Sequence, residues 1–170
     1  GSTGVGVSIG VAIARNFIGL DRGGDADAVN VHAYIKESSV ISTDGDIVLT
    51  ADASQSIHSL TFTGSAAVSG GSTGVAVSGS GVWNENAVNV NVLSAIDGDL
   101  GTGTGTGTGA VAAEANNVIV EAINSSDISA LAGAASVAVA LGSTGIAVSI
   151  GVGLAQNAIA GTVEARIQDA

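Results

Sequence analysis

Cysteine, proline and methionine are missing from this chain, and its aromatic side chains amount to one Trp, one Tyr and two Phe. Without cysteine there are no disulfide staples and no thiolate ligands for a metal. So few aromatics cannot fill a bulky core, so any interior has to be thin, closely spaced and repeated. Basic residues are scarce too, 4 against 15 acids, and the net charge of −11 repels nucleic-acid phosphates and anionic membrane surfaces. Two His, one Lys and three Arg spread over 170 residues do not supply the convergent groups that catalysis needs, so no enzymatic activity is expected. Charge disappears altogether from Ile128 to Val163. A period of two in Gly, Ala, Ser and Val marks that run as strand rather than membrane helix.

What the chain does have is Gly, 26 of them, with Ala, Val and Ile in a repeat. The stretch Gly1 to Asn16 returns as Gly71 to Asn86 and as Gly142 to Asn157, at offsets of 70 and 71. Its alternation through Val5, Val7, Ile9, Val11 and Ile13 has the strand period. Further on, Val31, Ala33 and Ile35 match Val92, Ser94 and Ile96 and then Val163, Ala165 and Ile167, leaving His32 and Tyr34 on the solvent face. Val40 to Leu60 aligns with Val111 to Leu131 at an offset of 71. The frames are 1–70, 71–141 and a partial 142–170, with inserts at about 20–28 and 97–109; without the inserts the frame is constant at 61 residues.

A constant frame with loops inserted at different places predicts one repeat array over 1–170, an all-β, repetitive β-solenoid of the parallel β-helix kind. Strands of about 5–9 residues, coils of about 20 residues and a dry interior of Val, Ile, Ala and Gly are expected. The alternative is a stack of antiparallel hairpins turning at Ser72 and Ser143, where Gly-rich links are flanked symmetrically by strands.

Among candidate site residues, Asn16, Asn86 and Asn157 recur at one place in the frame and read as a structural turn. Asp21, Asp25, Asp27, Asp44, Asp46, Asp97 and Asp99 lie in Gly-containing loops. Such oxygen-rich loops suit calcium, the one cofactor considered, although Asp and Gly are equally the residues of solvated turns. The run Gly101 to Gly109 carries regularly spaced Thr, but it occurs once, as an insert, and reads as a surface loop rather than an ice-binding ladder. Trp83 takes the place of Ile13 and Leu154 and is expected in the core. A sugar-stacking role would require that face to point outward.

Residues 29–53, Val-Asn-Val-His-Ala-Tyr-Ile-Lys-Glu-Ser-Ser-Val-Ile-Ser-Thr-Asp-Gly-Asp-Ile-Val-Leu-Thr-Ala-Asp-Ala, followed by Gly, Ala and Val alternation, resemble repeats of giant bacterial surface proteins. These are the filamentous-haemagglutinin-like and autotransporter-type adhesins and leukotoxins. The resemblance implies a secreted β-solenoid shaft used in cell adhesion or biofilm matrix building, and it transfers no catalytic residue. The expected function is therefore a structural and adhesive segment of an extracellular filament, with a calcium-binding module as the alternative and a polysaccharide-acting β-helix enzyme behind it. Expected partners are further copies or chain continuation, because neither end carries a capping element. Cell-surface or matrix glycans are also expected, and neither nucleic acid nor a membrane span.

Overall fold

The computed structural model describes residues 2–98 and 113–168. Its elements are β1 (Thr3–Ile18), β2 (Val29–Lys36), β3 (Val40–Ile41), β4 (Ile47–Ala53), β5 (Ser56–Gly70), β6 (Thr73–Asp97), β7 (Ala113–Glu114), β8 (Val118–Asn124), β9 (Asp127–Leu141), β10 (Thr144–Ala160) and β11 (Val163–Gln168). The fold is all-β, with no helix among the described residues, and its parallel strands form open sheets not closed into a barrel. Five strands are longer than the sequence pattern suggests, since β1, β5, β6, β9 and β10 run for 16, 15, 25, 15 and 17 residues. No Pro interrupts them, and their backbone alternates without a break. Asp99, the Gly101 to Gly109 run and most of the second insert lie outside the described residues.

Strands pair with their own counterparts one frame away. Val31 lies opposite Val92 and Val92 opposite Val163, and likewise Ile35, Ile96 and Ile167, in the order β2, β6, β11. Strand β4 pairs with β8 from Ile47 opposite Val118 to Ala53 opposite Asn124. Both registers are the ones the repeat predicts. The β3–β7 pair differs, with Val40 opposite Ala113 rather than Val111; two residues are too few for a side-chain pattern to fix register. Because stacked neighbours are a whole frame apart, the expected coil of about 20 residues is not the unit of stacking. The hairpin alternative also fails at Ser72 and Ser143, where β5 pairs with β9 while β6 pairs with β1 and β10. The chain crosses from one sheet to another there, with Gly71 and Gly142 at φ 143° and 156°, the positive values that only glycine adopts easily.

The residues group into two compact units, each drawn from all three frames. The first comprises Gly1–Asn16, Ile57–Asn86 and Ile128–Asn157. Here β1, β6 and β10 form one layer and β5 and β9 the other. The layers meet through their smallest residues. A methyl group on Gly4 or Gly6 would collide with the carbonyl oxygens of Gly70 and Val68, and one on Gly10 would lie 2.6 Å from that of Gly64. Gly151 and Gly153 make the same approach to Ala134 and Ala132, each at 2.9 Å. Hydroxyls bridge the layers at equivalent places, Ser65 to Ser78 at 2.7 Å and Ser136 to Ser149 at 2.6 Å.

This arrangement reverses the expected interior. Val5, Val7, Ile9, Val11 and Ile13 are each at least 66% exposed, and Trp83, expected in the core, is 49% exposed. Alternation told the two faces of each strand apart, yet neither face carries charge from Val5 to Ile13 or at the equivalent positions of β6 and β10. Only the depth of contact that Gly, Ala and Ser permit selects the small face for burial.

The second unit comprises Phe17–Ser56, Ala87–Asp127 and Ala158–Ala170. Its aliphatic core is larger than that of the first unit, which buries Ile57 and Val82: Val88, Val90, Val92 and Ile96 of β6 are buried here, with Ile47 and Ala51 of β4. Ser94, also buried, donates to the Leu49 carbonyl at 2.9 Å, so its hydroxyl is satisfied inside that core. The first insert folds on itself. Asp21 N–H donates to the Asp25 carbonyl at 2.9 Å, Leu20 bridges Ala26, and Gly19 and Gly24 take positive φ.

The two kinds of glycine in the first unit should respond oppositely to a methyl group. Gly10→Ala forces backbone apart and is expected to cost about 1–3 kcal/mol of unfolding free energy. Gly81→Ala points where nothing lies within 4 Å and should be neutral or stabilising by up to about 1 kcal/mol. Urea denaturation of the two variants checks both.

Candidate functional site

The three recurring asparagines do not make a turn. Asn16, Asn86 and Asn157 sit inside β1, β6 and β10 and form a side-chain ladder. Asn16 Nδ2 donates to Asn86 Oδ1 at 2.8 Å, and Asn86 Nδ2 to Asn157 Oδ1 at 2.9 Å. Parallel in-register pairing puts identical residues next to one another, and an amide, which is donor and acceptor at once, bonds to its own kind. Asn84 and Ser59 extend the network: Asn84 Oδ1 accepts from Asn86 Nδ2 at 3.1 Å and from Ser59 Oγ at 2.8 Å, and Ser59 Oγ accepts from Asn16 Nδ2 at 3.0 Å. Asn84 and Asn86 are fully buried, and these bonds replace the solvation lost by Asn86 and by Asn84 Oδ1, while Asn84 Nδ2 is left without a partner.

Among the described residues, no three of the acids considered for calcium are brought together. Asp21 turns its carboxylate onto its own loop, where Oδ1 accepts from the backbone N–H groups of Gly23 at 2.7 Å and Asp25 at 2.9 Å. Asp25 and Asp27 share that loop, while Asp44 and Asp46 precede β4. Asp46 Oδ1 accepts from Asn117 Nδ2 at 2.8 Å. Asp97 is buried at the end of β6, with Arg166 Nη2 3.3 Å from its Oδ2 and Arg166 Nη1 2.8 Å from Glu164 Oε1. Among the described residues no three His, Asp or Glu side chains converge on a point where a metal could sit. Loop composition alone raised these candidates.

The outward face of β1, β6 and β10 holds a feature that the sequence reading placed inside. Ile13, Arg15, Trp83 and Glu85 line a recess of about 440 Å³. Arg15 Nε lies 2.8 Å from Glu85 Oε2, a bridge between residues at one place in successive frames. Across the indole a second hollow of about 220 Å³ is bordered by Val11, Gly81, Val152 and Leu154. The Arg15–Glu85 pair was legible in the repeat as opposite charges at equivalent positions. It becomes visible once equivalent positions are recognised as neighbours in space.

Comparison with protein-family models, characterised proteins and solved structures finds no match to this chain. What can be said of it therefore rests on its own geometry: an all-β chain of parallel strands in open sheets.

The ladder gives a measurable contrast between buried and exposed amides. Asn86→Ala leaves the Asn16 donor and the Asn157 acceptor without their partner and should cost about 2–3 kcal/mol. Asn91, which accepts from Thr162 Oγ1 and donates to Asn30 Oδ1, each at 3.1 Å, is half-buried with both bonds open to solvent, and Asn91→Ala should cost less than about 1 kcal/mol. Chemical denaturation midpoints at constant m-value would show the difference.

Proposed function

We propose that the chain is a structural and adhesive segment of an extracellular bacterial filament or giant surface protein, in which successive frames stack as coils of a β-solenoid. The observation that carries this reading is the pairing of strands with their counterparts one frame away, in β2–β6–β11 and in β4–β8. A unit that recognises its own equivalent can add further equivalents by the same backbone bonds. Strands β1 and β10 are the edges of their layer and present that template. Further frames join either by chain continuation or by head-to-tail contact between copies. The acidic charge keeps such an assembly soluble and away from nucleic acid. On this reading the protein turns over no substrate, and its work is mechanical and adhesive.

Electron microscopy and sedimentation over a range of concentrations test the assembly. Filaments, or species lengthening with concentration, are expected, with fibre diffraction showing the strand spacing of about 4.7–4.9 Å along the long axis. A single species of 16.1 kDa at every concentration would overturn self-assembly.

A further inference from the structure

We infer that the recess beside Trp83 is a binding site for a neutral saccharide; the inference rests on the adhesive reading and names the place where adhesion occurs. Three observations converge on it. The first is the position of the indole. In the other two frames the equivalent residues are Ile13 and Leu154, and all three side chains border one outward hollow. An aliphatic residue therefore suffices for the frame, and the indole of Trp83 stands 49% exposed.

The second is the space around it. Gly79 and Gly81, on the same outward face of β6, have nothing within 4 Å of where a side chain would begin. Val77 precedes them and Trp83 follows, so the middle row of the layer is empty just where the indole needs an open flank. The recess that Trp83 lines with Ile13, Arg15 and Glu85 measures about 440 Å³, within the range of sites that hold small ligands.

The third is the chemistry at its far wall. Arg15 and Glu85, locked together at 2.8 Å, put a planar donor fork and a carboxylate acceptor at the edge of an aromatic surface. A pyranose has the matching form, with an apolar face of C–H groups to lie on the indole and equatorial hydroxyls to reach the ion pair. A purely apolar occupant, such as an acyl chain or the same sheet face of a second copy, would strip water from Arg15 and Glu85 and return no hydrogen bond. The ion pair is neutral overall and the chain carries −11, so acidic sugars are repelled and uncharged hexose units are accepted.

Trp83 is the sole Trp, so its fluorescence reports this site alone. Neutral probes would be cellotriose, maltotriose and chitotriose, and the acidic probe trigalacturonate. At least one neutral probe is expected to shift the emission saturably, and the acidic one to leave it unchanged. Trp83→Leu, which installs the residue of the third frame and so keeps the fold, should abolish the binding heat in calorimetry while melting as the parent does. Glu85→Gln should weaken binding about tenfold, the loss of one charge-assisted hydrogen bond. The proposal is overturned if no neutral probe changes the emission, if Trp83→Leu binds as well as the parent, or if the emission follows protein concentration instead of sugar. The last result would show a second copy covering the face. Assembly measured on the same samples separates the two readings. Filaments without sugar binding overturn the site and leave the stacking intact; sugar binding by a strictly monomeric chain supports the site and overturns the filament.

Discussion

Parallel pairing of long strands with their counterparts, in the register of the repeat, is the constraint on which the other features depend. It places residues that are equivalent in sequence about 4.8 Å apart in space, so each position along the frame becomes a column of side chains. A column of asparagines bonds to itself, a column of glycines leaves a furrow, and a column of Val and Ile makes a ridge. Asn16, Asn86 and Asn157 show the first of these. Gly4 and Gly74, both pressed against carbonyl oxygens of the facing layer, show the second.

The same rule is hostile to charge, because a carboxylate stacked on a carboxylate is destabilising. A chain with 15 acids could not tolerate repeating them at fixed places. In the described pairs it does not: Asp97 stands between Lys36 and Gln168, Glu164 beside Leu93, Asp52 beside Ile123 and Glu121 beside Thr50. Arg15 against Glu85 and Asp46 against Asn117 follow the same logic through their side chains. The variation among frames is therefore not drift in an otherwise identical repeat. Acids alternate with neutral or basic residues wherever a column would otherwise set like charges together.

Within one frame the chain solves burial in two ways. Where Gly, Ala and Ser alternate with Val and Ile, backbone meets backbone and contact depth replaces side-chain bulk, leaving the aliphatic rows outside. Where β6 continues past Asn86, Val88, Val90, Val92 and Ile96 turn inward and build an ordinary aliphatic core. An outward apolar sheet face marks a surface for contact. Its regularity breaks at Gly79, Gly81 and Trp83 and at the adjoining ion pair of Arg15 and Glu85.

Strand content, the two registers of β2–β6–β11 and β4–β8, the place of the first insert and the solvent position of His32 and Tyr34 were determined by the sequence alone. Alternation and repeat offset are properties of the chain's order, and backbone pairing simply follows them. Which face of a strand is buried was not legible, because in β1, β6 and β10 neither face carries a run of charge. The decision came from how closely two sheets can approach across glycine, a distance that exists only between packed layers and not along any one strand. The role of the asparagines was hidden for the same reason: a recurring Asn looks alike in a turn and in a ladder until its neighbour is known to be the next Asn. Tertiary structure likewise brought Arg15 to Glu85, because stacking makes neighbours of residues 70 apart, whereas no three of the described acids that composition had grouped converge on one point.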